Sequence, residues 1–338
     1  MKYNKITLDT PWQDIIDSID NEVIVKAFLK ANSVLNSYSR PCCSISGGKD
    51  SDIVLDIIWR VDKDKKMRYV WFDTGLEYQA TKDHLDYLEN KYGITIEREK
   101  AIKPIPIACK EYGQPFLSKM VSEMMCRLQK HNFKWEDKSF EELYKKYPKC
   151  KGALTWWTNN RNTGNFANSI FNISYNKYLK EFILLNPPQF AISAKCCDYA
   201  KKNVKEEYIK SNNLDLNIVG IRRAEGGARS AKYKNCYDNN KSIGKYSNYR
   251  PLFYFKNDDV KYYSELFNIV HSDCYTTYKF KRTGCVGCPY NRELKTDIKI
   301  INKYEPKLSI GINNIFKDSY EYTAMYRKFV EEQKKLNK

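Results

Sequence analysis

A chain of 338 residues can bury a substantial core, as one large domain or two smaller ones. Its formal charge of +17 makes a polyanion, nucleic acid above all, a natural partner, with solvated lysines of a Lys- and Asn-rich composition as the plainer reading. No apolar run approaches the roughly 18 residues of a membrane span, and Met1-Lys2-Tyr3-Asn4-Lys5 leads into polar sequence rather than a signal-peptide core. No membrane association and a cytoplasmic location are therefore expected, and the 11 cysteines are expected to be ligands, catalytic thiols or core residues rather than disulfides.

In chain order, residues 11–38 carry helical apolar spacing (Trp12, Ile15, Ile16, Ile19, Val23, Val25, Phe28, Leu29), and Pro41 ends the segment. A short strand at Cys42–Ile45 runs into Ser46-Gly47-Gly48-Lys49-Asp50-Ser51, followed by a helix over 51–61 that buries Ile53, Val54, Ile57, Ile58 and Val61. A second strand over 67–72 ends in Asp73-Thr74-Gly75; a helix over 79–92 and a strand around 95–97 follow. Strands alternating with helices predict a parallel, layered α/β sheet, with ligands at the carboxyl ends of the strands. The glycine loop and Asp73-Thr74-Gly75 both fall at such ends and are expected to converge on one nucleotide.

The alternation stops over about 112–187, where helical pieces at 119–131 and 140–146 and the pair Trp156-Trp157 predict a mostly helical insertion. It resumes with a strand at 190–193, a helix over 198–211 and a strand over 216–221. Residues 222–250 hold eight Arg or Lys against two acids and little periodicity, which predicts an ordered active-site loop or a basic flap. Helical sequence occupies 292–336. The expected organisation is one core domain over 1–291, carrying the insertion, and a helical C-terminal extension over 292–338.

The glycine loop lacks the spacing of a Walker loop, but its physics is related. Glycines let backbone N–H groups turn toward an anion, and the following helix adds its positive end. Lys49 neutralises phosphate charge, and Ser46 and Ser51 offer hydroxyls. A turn with a surface lysine is the plain alternative.

Two cysteine elements stand about ninety residues apart, Cys196-Cys197 and Cys285-Val286-Gly287-Cys288. A C-x-x-C turn presents two thiolates to one metal site, and adjacent cysteines ligate together only at a helix start or kink, which the boundary after Ala194-Lys195 supplies. An iron-sulfur cluster, a structural zinc and unligated thiols are the three readings of this spacing.

The hexapeptide resembles the signature of the PP-loop ATP pyrophosphatase superfamily, and Asp73-Thr74-Gly75 resembles the second motif of its sulfonucleotide reductase branch. Cys196, Cys197, Cys285 and Cys288 resemble the paired-cysteine motif of adenylylsulfate reductases, and Gly220-Ile221-Arg222-Arg223-Ala224-Glu225-Gly226-Gly227-Ala228-Arg229 resembles their arginine-rich substrate motif. The resemblance runs from about 40 to 290, through Pro251-Leu252-Phe253-Tyr254 and Asp258-Asp259-Val260. It implies an adenine nucleotide α-hydrolase-like, Rossmann-like core that binds ATP or a sulfonucleotide with Mg2+. It also implies a 4Fe-4S cluster on the four cysteines, and Arg222, Arg223 and Arg229 at the transferred group.

Reductases of this family act through a cysteine in a Cys-Gly-x-His motif near the C-terminus, whereas this sequence has no cysteine after Cys288 and no histidine after His271. Cys109, Cys126, Cys150, Cys236 and Cys274 are the substitutes. Cys236 is the best of them, because Lys232, Lys234 and Lys241 would favour its thiolate. The remaining features resemble the superfamily's sulfurtransferases, including DNA phosphorothioation and tRNA thiolation enzymes, which adenylate an acceptor and displace AMP with sulfur. That likeness implies DNA or tRNA as acceptor and a cysteine desulfurase as donor. A sulfonucleotide reductase making sulfite, and a non-catalytic nucleotide- or DNA-binding subunit, are the alternative expectations.

Overall fold

Pro41-Cys42-Cys43-Ser44-Ile45 forms a strand buried along almost its whole length, as a central parallel strand covered on both faces must be. In the computed structural model, which describes residues 6–161, 169–226, 233–239 and 245–337, this strand, β1, belongs to a sheet with β2 (Arg68–Asp73), β3 (Ile96–Lys100), β4 (Leu216–Ile218), β5 (Tyr237–Asp238) and β6 (Ser247–Tyr249). The order is β3-β2-β1-β4-β6-β5, parallel throughout except for the antiparallel edge pair β5–β6. The period of two sends Cys43 and Ile45 into the main core and Cys42 into a smaller cluster with Val70, Ile209 and Leu214. Burial pushes the Cys42 thiol up to about 12 and that of Cys43 well above its ordinary value, so both are core residues.

The chain between β1 and β3 is strand, helix, strand, helix, strand. The stretch expected as one helix over 11–38 is two, α1 (Trp12–Ser18) and α2 (Glu22–Leu35), because the Asn21 side chain caps the second by accepting from the N–H groups of Val23 and Ile24. Next come α3 (Lys49–Val61) and α4 (Gln79–Tyr92), α4 stopping at Gly93 with φ +60°. The α3 helix buries apolar side chains as its spacing requires, and Asp52 and Asp56 with them. Asp56 is satisfied by Arg60, Tyr92 and Tyr263 at 2.9, 2.9 and 2.6 Å.

The strand expected at 190–193 is not part of the sheet. Ile192 makes a single bridge to Gln114, with Gln114 N–H to Ala191 C=O at 2.8 Å and Ser193 N–H to Gln114 C=O at 3.0 Å. Gly113 permits that approach: a Cβ there would lie 2.3 Å from the Ala191 oxygen, and its φ is +102°. The strand expected over 216–221 ends at Ile218, and the basic stretch 222–250 contains β5 and β6, which its composition did not announce.

By its contacts the chain divides into two compact units, residues 1–101 with 201–283 and residues 102–200 with 284–338. The first contains the whole sheet. The second is helical, and Phe116, Met125, Leu128, Trp156, Trp157 and Phe182 pack in one core with Tyr322 and Tyr326 of the last helix, Lys317–Leu336. Both the helical insertion and the C-terminal helices expected from sequence lie in this second unit, and the expected single helical run over 292–336 is three helices, Leu294–Tyr304, Pro306–Ile315 and Lys317–Leu336.

Candidate functional site

Because β1 lies between β2 and β4, the segment leaving its carboxyl end is flanked by those leaving β2 and β4, at the point where the strand order reverses. Such a point is where open α/β sheets bind ligands. Ser46 to Ser51 occupy it. Gly47 has φ +66°, and a Cβ on it would lie 2.9 Å from Cγ2 of Thr81, so this turn accepts only glycine comfortably. The backbone N–H of Ser46 donates to Ser51 Oγ at 2.9 Å, closing the loop on the first turn of α3. Gly48 is the N-cap and offers no side chain to cap the first-turn N–H groups of α3, the end of a helix that favours an anion.

The segment after β4 closes the other side. Gly220 lies against the loop, with a Cβ position 3.2 Å from the Asp50 carbonyl carbon and Ser51 nitrogen. Two residues later Arg222 donates from Nε to Asp50 Oδ2 at 2.8 Å and from Nη1 to Asn257 Oδ1 at 3.0 Å. Burial raises the Asp50 carboxyl despite the lowering effect of Arg222. Arg223 is exposed in a short 3-10 turn, and Arg229 lies outside the described residues. From β2, Asp73 accepts from the Gly75 N–H at 2.8 Å, Gly75 having φ +74°, and the buried Thr74 donates to Glu77 at 2.6 Å. Burial is the main cause raising the Glu77 carboxyl, and Lys201 opposes it.

Apart from naming Cys274 among the substitute nucleophiles, sequence reasoning did not mark residues 271–283, which meet this loop. His271 Nδ1 and His84 Nε2 donate to the two oxygens of the fully buried Asp52, at 2.8 and 3.0 Å. Ser272 donates to the Ala80 carbonyl at 3.0 Å. Tyr275 follows, with the Lys49 ammonium 4.8 Å from its ring centroid and its hydroxyl 2.8 Å from Thr283 Oγ1. The only sequence signal was Asp52 itself, a carboxylate on the buried stripe of α3 that needs partners.

Cys236 is half-buried and packs against the main core. Lys232 and Lys241 lie outside the described residues, while Lys234 is exposed. Burial is the leading effect and raises the Cys236 thiol despite the nearby charges of Lys30 and Arg250, contrary to the expected activation. Tyr249 is buried, and Tyr246 donates to Glu206 at 2.9 Å, so these two tyrosines serve packing and hydrogen bonding within the sheet unit.

The thiols assemble within the helical unit. Cys196 and Cys197 lie on a single helical turn, Lys195–Cys197, which runs into a π-helical turn over Asp198–Lys202, the kinked helix start that tandem ligands require. The Cys285–Cys288 turn is closed by the Cys288 N–H on the Cys285 carbonyl at 3.2 Å. Its Gly287 has φ +60°, and a Cβ there would lie 2.5 Å from Ile312 Cδ1 and from Tyr320 Oη.

Residues 40–291 match the phosphoadenosine phosphosulfate reductase domain. The chain belongs to the phosphoadenosine phosphosulfate reductase family. No curated protein matches it. Among solved structures it is similar to the phosphoadenylyl-sulfate reductase of Candida auris in its phosphate complex (13% identity, 81% of this chain and 93% of that one, TM-score 0.41). It is also similar to the FMN adenylyltransferase of Candida glabrata (10%, 81% and 67%, 0.40) and to the U34-tRNA thiolase NcsA of Methanococcus maripaludis with its 4Fe-4S cluster (13%, 91% and 80%, 0.38).

For a member of the phosphoadenosine phosphosulfate reductase family the question is whether these thiols suit a cluster. Cys196 hydrogen-bonds with Cys109 and Cys197; the bond to Cys109 is the first cause lifting its thiol far above the ordinary value, burial and the charges of Cys109 and Cys288 add to it, and the bond to Cys197 opposes. Tyr290 stands in the field of Cys196, Cys197 and Cys288. Its buried hydroxyl is left without a hydrogen-bond partner, and the nearby Ser122 hydroxyl is bonded to the N–H and the C=O of Phe116 at 2.8 and 2.9 Å. An orphaned donor facing sulfur suits a sulfide-rich group. Among the described residues, however, no three His, Cys, Asp or Glu converge at metal-ligating spacing, for iron or for Mg2+. The thiols suit a cluster in kind, and Cys196, Cys197 and Cys288 are neighbours, with Cys109 as a further thiol that the sequence pattern did not include. Among the described residues no helix is long and apolar enough to cross a membrane.

Proposed function

We propose that this protein is a nucleotide-dependent sulfurtransferase that activates an acceptor with ATP and replaces AMP by sulfur. The observation that carries this reading is the thiol constellation of Cys196, Cys197, Cys288 and Cys109 in a family member whose loop is built for phosphate. In the first step an acceptor oxygen attacks the α-phosphorus of ATP, the α–β bond breaks, and pyrophosphate departs. Lys49 and the first-turn N–H groups of α3 neutralise the departing charge. Arg222, fixed by Asp50 and Asn257, braces the loop, and the resemblance assigns Arg223 and Arg229 to the transferred group. Sulfide, freed by an external thiol reductant from the persulfide of a donor such as a cysteine desulfurase, then attacks the adenylated centre; the bond from that centre to the AMP-linked oxygen breaks, and AMP departs with the acceptor oxygen. A 4Fe-4S cluster on Cys196, Cys197, Cys285 and Cys288 would supply a site for sulfide. The charge of +17 supports a nucleic acid, DNA or tRNA, as the acceptor.

The family match itself favours a second reading, a sulfonucleotide reductase releasing sulfite. The deciding experiment is anaerobic purification with iron and acid-labile sulfide analysis, then chromatography of products from ATP and from each sulfonucleotide on the same sample. AMP and pyrophosphate from ATP, in the presence of sulfide and nucleic acid, support the transferase. Sulfite from a sulfonucleotide replaces it with the reductase.

A further inference from the structure

The α-carbon of Gly48 faces three hydroxyl groups. A Cβ built there would lie 3.2 Å from Tyr275 Oη, 3.3 Å from Ser46 Oγ and 3.6 Å from Thr283 Oγ1. The first two are tighter than ordinary carbon contacts, so a side chain at this position would crowd the hydroxyls that the bare glycine leaves open. The Lys49 backbone faces the Tyr275 hydroxyl, and the Lys49 ammonium lies over its ring. The bare glycine therefore opens a small cup whose rim is hydroxyl, whose floor is the start of α3 and whose only full charge among these groups is positive.

Tyr275 is held there by several independent contacts. His271 is bonded to Asp52 in the first turn of α3, Ser272 to the start of α4, and Cys274 Sγ lies 3.6 Å from Thr81 Oγ1. Tyr278 and Phe280 pack on Tyr78, with centroids 6.4 and 5.2 Å apart. Segment 271–283 is thus tied on both sides of the glycine loop within the sheet unit. Burial keeps the phenol protonated, as a donor to an anion must be.

We infer that Tyr275, oriented by Thr283, is a phosphate-binding residue of this loop that donates its hydroxyl to a terminal phosphate oxygen of the nucleotide. The inference rests on the nucleotide reading above and adds a residue outside every motif that led to it. On binding, the Tyr275 hydroxyl exchanges its contact with Thr283 for the phosphate oxygen, and Thr283 and Ser46 complete the rim.

The test is equilibrium binding of inorganic pyrophosphate, ATP and adenosine to the full-length protein and to Tyr275→Phe, which keeps the ring over Lys49 and removes one oxygen. A lost hydrogen bond to a charged group corresponds to roughly a tenfold loss of affinity. Tyr275→Phe is expected to bind pyrophosphate and ATP about tenfold more weakly, with adenosine binding and melting temperature unchanged. Thr283→Val, which removes only the orienting hydroxyl, is expected to weaken the same two ligands by a smaller factor. Wild-type affinity for pyrophosphate in both variants, or tighter binding in Tyr275→Phe, overturns the assignment while leaving the nucleotide reading in place. Failure of the wild-type protein to bind any phosphate ligand overturns both.

Discussion

Arg222 and Asp50 stand 172 positions apart and are joined at 2.8 Å, the guanidinium of one arginine motif locked to the carboxylate of the glycine loop. Both side chains are largely buried, with 12% and 19% exposure. The pair therefore fixes the loop from the β4 side while consuming much of the binding capacity of Arg222, a division of labour between two motifs that sequence alone treated as parallel contributors.

Arg222→Ala should leave Asp50 without its main counter-charge. The expected loss of unfolding free energy is about 1–3 kcal/mol, the range for stranding a partly buried charged group. The sign of its pH dependence follows from Asp50, whose folded carboxyl is already raised by burial. Removing Arg222 raises it further, so the folded state of the variant binds the extra proton more readily. Stability of the variant then falls, relative to wild type, as pH rises through the window above the unfolded carboxylate value of about 4. Urea unfolding at pH 4.5 and at pH 7, roughly the two sides of that window, should show the larger deficit at pH 7. An equal deficit at both contradicts the pairing.

Glu77 supplies a second pH signature. Its folded carboxyl is raised, first by burial, with Lys201 and Thr74 opposing. A raised carboxyl means that the folded state holds its proton longer, so the contribution of Glu77 to stability is greatest below the unfolded value and is lost as pH rises through the folded one. Glu77→Gln keeps an acceptor for the Thr74 hydroxyl and removes the ionisation. The variant is expected to match wild type in acid and to become the more stable of the two toward neutrality, measured by melting temperature across that range. The reverse trend would mean that the Lys201 attraction outweighs burial.

These pairs show what the sequence carried and what it did not. The loop, β1, β2, α3 and α4 were legible because the glycines and the switch between periods of two and 3.6 are local signals. Asp50 and Arg222 were each marked by a motif, but their mutual bond depends on β1 and β4 being neighbours, a fact of topology. Tyr275, Thr283 and His271 belong to no motif and are brought to the loop by buried partners, so no spacing rule reaches them. The expected strand at 190–193 failed for the opposite reason. Ile192 is buried in the core of the helical unit with Phe190 packed against it, and Gly113 gives the segment one bridge rather than a ladder.

Cys236→Ser is expected to leave product formation within about twofold of wild type, the range of a surface or packing substitution. The thiol is held protonated by burial and packs against the main core, so it lacks the thiolate that nucleophilic attack on sulfur needs. Product yields from ATP and from each sulfonucleotide, measured on the Ser variant, check this. A loss of sulfite formation by two orders of magnitude or more, the scale of removing a nucleophile, would restore Cys236 as the replacement for the absent C-terminal cysteine and with it the reductase.

Tyr290 reports on the thiol constellation without touching a ligand. Its hydroxyl is buried near Cys196, Cys197 and Cys288 and is left without a hydrogen-bond partner. Burying such a group unsatisfied costs about 1–3 kcal/mol, which Tyr290→Phe removes. In metal-free protein the Phe variant is therefore expected to melt higher than wild type. In protein loaded anaerobically with iron and sulfide, a cluster beside the hydroxyl would give it an acceptor, and the advantage of the Phe variant is expected to vanish or reverse. Cys196→Ser serves as the control: with a proposed cluster ligand gone, iron and acid-labile sulfide should fall, and the Tyr290→Phe advantage should persist under loading conditions. If loading changes the wild-type and Phe proteins equally, the hydroxyl does not face the bound group, and the proposed four-cysteine ligand set is weakened.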